Sequence, residues 1–132
     1  MPKRFGFPKA ERLKSRKQID QLFEQGKAFS VFPIRVIYRF QNAEEGSLQA
    51  GVTASKKYFK KAVDRNRLKR LLRETYRLQK EELVKQVKET GKSAVVFFIY
   101  TDKTIAEFET IKAAMAKCLQ RLSKILQSEN PS

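Results

Sequence analysis

The stretch Gly51-Val52-Thr53-Ala54-Ser55-Lys56-Lys57-Tyr58-Phe59-Lys60-Lys61-Ala62-Val63-Asp64-Arg65-Asn66-Arg67-Leu68-Lys69-Arg70-Leu71-Leu72-Arg73-Glu74 changes its period halfway along. Before Ser55, Leu48, Ala50, Val52 and Ala54 alternate with Gln49, Gly51 and Thr53, the period of two of a half-buried strand. From about Lys60 to Gln79 the spacing turns helical. At about 100° per residue, Leu68, Leu71, Leu72, Thr75 and Leu78 share one arc, while Arg65, Asn66, Lys69, Arg70, Arg73 and Arg77 spread across the other. Between Lys56 and Arg77, ten basic residues stand against Asp64 and Glu74. A helix moored by leucines and carrying guanidinium groups outward is the expected result.

Upstream, Ile34, Val36, Tyr38 and Phe40 alternate with Arg35, Ile37 and Arg39, which predicts another strand, and Gln41–Gly46 reads as a polar turn. Taken as an antiparallel pair, the two strands have one apolar face and one bearing Arg35, Arg39, Gln49 and Thr53; a sheet of this kind can leave its polar side uncovered. Ser15-Arg16-Lys17-Gln18 has capping-box spacing, Ile19, Leu22 and Phe23 follow at helical intervals, and Gly26 is a natural stop. Residues 1–14, basic and with Pro2 and Pro8, read as an extended arm.

Downstream, Gln79–Lys92 holds Glu81, Glu82 and Glu89 among lysines and reads as a helical segment that Gly91 ends. The continuous apolar run Ala94–Tyr100 predicts a buried strand. Thr104-Ile105-Ala106-Glu107 is a second capping-box pattern, predicting a last helix with an apolar stripe through Phe108, Ile111, Met115, Cys118, Leu122 and Ile125. Residues 127–132 read as a frayed end. The order is helix, strands, helix, strand, helix in a single domain over residues 1–132, since a second domain would need about 100 more residues.

Composition narrows the function. There are 29 Lys and Arg against 14 Asp and Glu, a net charge of +15, with no histidine and one cysteine. The absent histidine removes the commonest general base and every histidine-containing zinc site. Such a charge excess is tolerated most readily where the ligand is a polyanion, nucleic acid above all. A basic helical face is ordinarily just solvated surface, but such faces carry balancing glutamate, which is nearly missing here. A membrane span is not expected, because the Ala94–Tyr100 run is about a third of the roughly 20 residues one needs. The lone cysteine and the N-terminus, which has no apolar signal core, fit a cytoplasmic protein. Glu44-Glu45 are adjacent and do not converge as an acid/base pair; Cys118 reads as core; Gly91-Lys92-Ser93 lacks the strand and first glycine of a phosphate loop.

Gly51-Val52-Thr53-Ala54-Ser55-Lys56-Lys57 followed by Ala62 to Glu74, with its Arg65-Asn66-Arg67-Leu68-Lys69-Arg70 core, closely resembles the signature of the bacterial ribonuclease P protein component. Phe7-Pro8 with Arg12-Leu13, and the helix carrying Ile19, Leu22 and Phe23, resemble that family's opening. The resemblance implies an α+β, αβββαβα domain with a left-handed βαβ crossover, similar to a ribosomal small-subunit protein domain. It also implies a catalytic RNA subunit and precursor tRNA as partners. The RNA would carry out metal-dependent removal of the 5′ leader, with Mg2+ belonging to the RNA-containing holoenzyme. No cofactor, catalytic residue, metal site, membrane or small-molecule substrate is expected of the polypeptide itself. By motif position, Lys56, Lys57, Lys60, Lys61, Arg65, Asn66, Arg67, Lys69, Arg70 and Arg73 would face the RNA subunit.

The resemblance further implies a cleft for the single-stranded leader at Ile19, Phe23, Tyr38 and Thr53, where an unpaired base can stack on an aromatic ring. Phe23 keeps the aromatic; position 19, often Phe in the family, is Ile here. Alternation instead puts Tyr38 on the apolar face with Ile34 and Val36, so cleft and core both stand for Tyr38, as they do for Phe23. The Gln79–Lys92 segment is longer than the family usually has there. Two other functions remain open: a ribosomal or RNA-chaperone binding module with no processing role, and a stand-alone nuclease. The nuclease would need a carboxylate cluster or general base that the chain does not offer.

Overall fold

A computed structural model describes residues 11–13, 15–42 and 46–129. The remainder of the proposed arm, Phe7-Pro8, the Glu44-Glu45 turn and residues 130–132 lie outside the described residues. The elements are α1 (Arg16–Gln25), β1 (Lys27–Val31), β2 (Ile34–Asn42), β3 (Ser47–Ala54), α2 (Ala62–Gln79), α3 (Glu81–Thr90), β4 (Lys92–Tyr100) and α4 (Phe108–Glu129). Ser15 caps α1, its Oγ accepting from the Gln18 amide at 3.4 Å, and the Gly26 amide closes the helix on the Leu22 carbonyl at 2.8 Å. A Cβ at Gly26 would lie 2.5 Å from that carbonyl oxygen, so the chain can turn this tightly only at glycine.

The four strands form one sheet in the order β1-β2-β4-β3. The antiparallel pairing of β2 with β3 expected from sequence does not occur. Instead β4 lies between them, antiparallel to β2 from Ile34↔Tyr100 to Asn42↔Lys92 and parallel to β3 from Ser47↔Ser93 to Ala54↔Tyr100. The physical reason is the uninterrupted apolar run of β4. A strand apolar on both sides belongs at the centre, where both faces are covered, and the two alternating strands flank it. β3, α2, α3 and β4 thus make a βαβ crossover between parallel neighbours. Periodicity gave no sign of β1, an edge strand on which Phe29 alone is buried.

One face of the sheet carries the main core. Ile34, Val36, Leu48, Ala50, Val96, Phe98 and Tyr100 pack against Leu68, Leu72 and Tyr76 of α2 and Ile111, Met115, Cys118 and Leu122 of α4. The Gln79–Lys92 segment is the separate helix α3, which adds Leu83 and Val87 to this core and ends at Gly91 in the left-handed conformation, φ 69°. The last helix begins at Phe108, not at Thr104. Tyr100 takes over the groups a cap would use, its hydroxyl donating to the Thr104 carbonyl at 2.6 Å and accepting from the Ala106 amide at 2.8 Å. Residues 127–129, read from sequence as frayed, continue α4.

The opposite face carries a second, small cluster of Leu13, Leu22, Ile37 and Phe97, with Ile19, Val95 and Ile99 packed against it. α1 lies over this face. The end of the N-terminal segment runs beside β3, the Leu13 amide donating to the Ala50 carbonyl at 2.8 Å.

Candidate nucleic-acid interface

The basic surface starts in the loop after β3. The Ser55 carbonyl accepts from the Phe59 amide at 3.0 Å and the Ser55 hydroxyl accepts from the Lys57 amide at 3.1 Å. Phe59 is buried, its ring centroid 6.0 Å from that of Tyr100. With Phe59 as anchor, Lys56, Lys57, Lys60 and Lys61 are left exposed around it.

In α2 the apolar side holds Leu68, Leu72, Thr75 and Tyr76. Asn66, Arg67, Arg70 and Arg73 are exposed on the other side, and Lys69 is half-buried on the flank. Arg65 has a different setting. Its Nη1 donates to the Phe59 carbonyl at 2.7 Å and the Lys60 carbonyl at 2.9 Å, so this guanidinium ties the loop to the first turn of the helix. Arg77 pairs within the helix with Glu74, whose carboxyl the hydrogen bond from Arg77 holds below its usual range. Sequence reasoning missed Tyr76 as core, because a tyrosine among arginines reads as surface. It is buried beside Phe98, centroids 5.4 Å apart.

On the face under α1, the Phe23 ring is 50% exposed and meets the buried Phe97 edge-on, centroids 5.6 Å apart. Ile19 is half-buried beside the same small cluster, and Thr53 is half-buried on β3. Gly51 makes room for the arrangement: a Cβ there would lie 2.7 Å from the Phe97 ring. Arg35 is exposed on β2 and Arg39 half-buried. Tyr38 does not join this group, which corrects the expectation carried by the resemblance. It is buried in the main core on the other face of β2, its ring 5.8 Å from Phe29 and 5.4 Å from Phe40. The strand alternates without a bulge from Ile34 to Asn42, so Tyr38 stays with Ile34 and Val36. Phe97, which sequence reasoning did not single out because a continuous apolar run gives no clue to which face a residue serves, is the buried aromatic that Phe23 packs on.

Cys118 is buried on α4, and burial pushes its thiol up to about 12. Among the described residues no three His, Cys, Asp or Glu side chains gather as a metal site. No described helix is long and apolar enough to cross a membrane.

Comparison with known proteins identifies the family and the fold. The family model Ribonuclease P matches residues 7–123. The chain is 40% identical over 123 residues to the ribonuclease P protein component of Porphyromonas gingivalis, covering 92% of this chain and 90% of the relative. A Legionella pneumophila ribonuclease P protein component is 41% identical over 73 residues, 55% of this chain and 62% of its own. Among solved structures, the RNase P protein from Thermotoga maritima superposes with a TM-score of 0.65 at 27% identity, over 84% of this chain and 96% of that one. The Staphylococcus aureus RNase P protein shares the fold, with a TM-score of 0.61 at 21% identity over 89% and 99% of the two chains. The signature residues, the fold and the relatives agree: the chain belongs to the ribonuclease P protein-component family, the polypeptide part of a ribonuclease P holoenzyme whose partner is RNA.

Proposed function

We propose that this polypeptide binds the catalytic RNA subunit of ribonuclease P through the loop and outward face of α2, and receives the single-stranded 5′ leader of precursor tRNA on the sheet face under α1. The observation that carries the reading is the exposure of Asn66, Arg67, Arg70 and Arg73 on one side of a helix whose other side is anchored in the core. Arginine forks pair bidentately with phosphate, and an exposed asparagine can bond a phosphate, a 2′-hydroxyl or a base edge. Lys56, Lys57, Lys60 and Lys61 extend the positive surface, and Lys69 flanks it. Arg65 acts through position, holding the loop that displays those lysines. Ile19, Phe23 and Thr53, with Phe97 behind them, form the leader surface.

The polypeptide supplies binding and orientation, and the RNA supplies the chemistry, hydrolytic removal of the leader with Mg2+ held in the holoenzyme. The test is reconstitution: added to protein-free RNA subunit at low magnesium, the protein restores precursor cleavage. Failure to restore it would leave an RNA-binding module without a processing role. Binding should also weaken steeply with salt, log affinity falling against log salt by roughly 0.7–0.9 per phosphate contacted.

A further inference from the structure

Parallel β3 and β4 end side by side, Ala54 opposite Tyr100, and the loops that follow them meet. In the first, neighbouring aromatic residues do different work. Phe59 is 6% exposed and packs on Tyr100, whereas Tyr58 is 41% exposed and is not part of the core. Two ammonium groups from separate loops approach the Tyr58 ring, Lys57 Nζ and Lys103 Nζ, each 5.9 Å from its centroid.

The setting is held in place from behind. Phe59 fixes the first loop to Tyr100, and the Tyr100 hydroxyl fixes the second through Thr104 and Ala106. Asp102 spends its carboxylate on its own turn, accepting from the Lys103 amide at 2.7 Å and the Thr104 hydroxyl at 3.4 Å. A flat apolar ring kept in solvent between two lysines has the two parts that single-stranded nucleic acid needs, a stacking plane and cations for the flanking phosphates. Exposed cation–π contacts are weak, so an arriving base can take the ring while the ammonium groups move to phosphate.

We propose that Tyr58, Lys57 and Lys103 form a nucleotide platform on which an unpaired RNA base stacks, with its flanking phosphates on the two lysines. The proposal rests on the reading of the α2 surface as RNA-binding, and it extends that surface onto the β4–α4 loop, outside the basic segment. The base could come from the RNA subunit or from the precursor's leader.

The experiment measures binding of Tyr58→Ala, Tyr58→Leu, Tyr58→Phe and Lys103→Gln, first to the RNA subunit alone and then, in preformed holoenzyme, to precursor with and without its leader. Tyr58→Ala and Tyr58→Leu should each lose about 5- to 150-fold in affinity with the salt slope unchanged, and Tyr58→Phe should bind as the parent does. Lys103→Gln should reduce the salt slope by about 0.7–0.9. Loss on the RNA subunit alone assigns the base to it; loss on leader-bearing precursor only assigns it to the leader. Parental affinity of both Tyr58→Ala and Tyr58→Leu in every arm overturns the platform. An Arg70→Ala/Arg73→Ala variant run alongside separates the two readings. If it too binds as the parent does, the α2 surface is not the RNA site; if it alone weakens, only the platform is lost.

Discussion

The ring of Phe23 stands on that of Phe97 at 75°, centroids 5.6 Å apart, so one aromatic is presented to solvent on the back of another that is buried. Phe97 belongs to the central strand and cannot easily move; Phe23 belongs to α1 and has one edge committed. Replacing Phe23 with Ala should therefore cost only about 1 kcal/mol of stability, because the ring is already half in water. Affinity for leader-bearing precursor should fall by about 5- to 150-fold, the worth of one stacked base, with mature tRNA little affected. Binding titrations of the two RNAs check this; equal losses on both would place Phe23 among the purely structural residues.

Gly51 controls the same site from beneath. Gly51→Ala would set a Cβ 2.7 Å from the Phe97 ring and 3.3 Å from the Leu13 carbonyl oxygen. The ring must shift and carry Phe23 with it, at a cost of about 1–3 kcal/mol for overpacking. Urea unfolding should show the loss of stability, and precursor binding a loss of leader affinity. A variant as stable as the parent would mean that the ring has room not seen in the structure.

Arg65 and Arg70 lie on the same helix and should behave differently. Arg70→Ala removes an exposed guanidinium, so stability should stay within about 0.5 kcal/mol while RNA affinity and its salt slope both fall. Arg65→Ala also removes the two bonds to the Phe59 and Lys60 carbonyls. A charged donor to a carbonyl is worth about 1.5–3 kcal/mol when well buried, so a stability loss of about 1–2 kcal/mol is expected at this half-buried position. Thermal unfolding beside RNA titration distinguishes the two; indistinguishable stabilities would remove the positioning role from Arg65.

Burial gives the protein an alkaline weakness. The Cys118 thiol is pushed up to about 12, and burial also raises the Tyr76 and Tyr100 phenols. In the unfolded chain the thiol ionises near pH ~8.5 and the phenols near ~10, whereas the folded protein keeps these protons. Above about pH 8.5 the unfolded state binds fewer protons than the native state, so stability declines as pH rises. Urea midpoints should drop between about pH 8 and 10, and Cys118→Ala should flatten the first part of that drop. A pH-independent midpoint across the range would contradict the buried thiol.

Much of this was readable from local pattern. The alternation of Ile34, Val36 and Tyr38 correctly placed all three on one face, and it outweighed the resemblance that put Tyr38 in the cleft. The leucine arc of α2 was legible because a helix repeats its core contacts every three to four residues, and the exposed side followed from it. Cys118 was read as core from its place in the α4 stripe, and Gly91 as a stop from its backbone freedom. At the second capping-box pattern the helix starts later than expected, and the hydroxyl of Tyr100, at the end of the preceding strand, bonds the Thr104 carbonyl and the Ala106 amide that the motif was expected to use.

By itself, then, the sequence determined the periods, the charge and the signature: the strand character of β2, β3 and β4, the helical character of α1, α2 and α4, the apolar arc of α2, and the concentration of cations on that helix and the loop before it. Those are properties of neighbours along the chain. Tertiary structure decided that β4 enters between β2 and β3, that Phe97 backs Phe23, that Arg65 braces a loop, and that Lys57 and Lys103 meet over Tyr58. Each of these joins residues whose contact depends on how the whole chain minimises exposed apolar surface and unpaired backbone, and no local pattern encodes that sum.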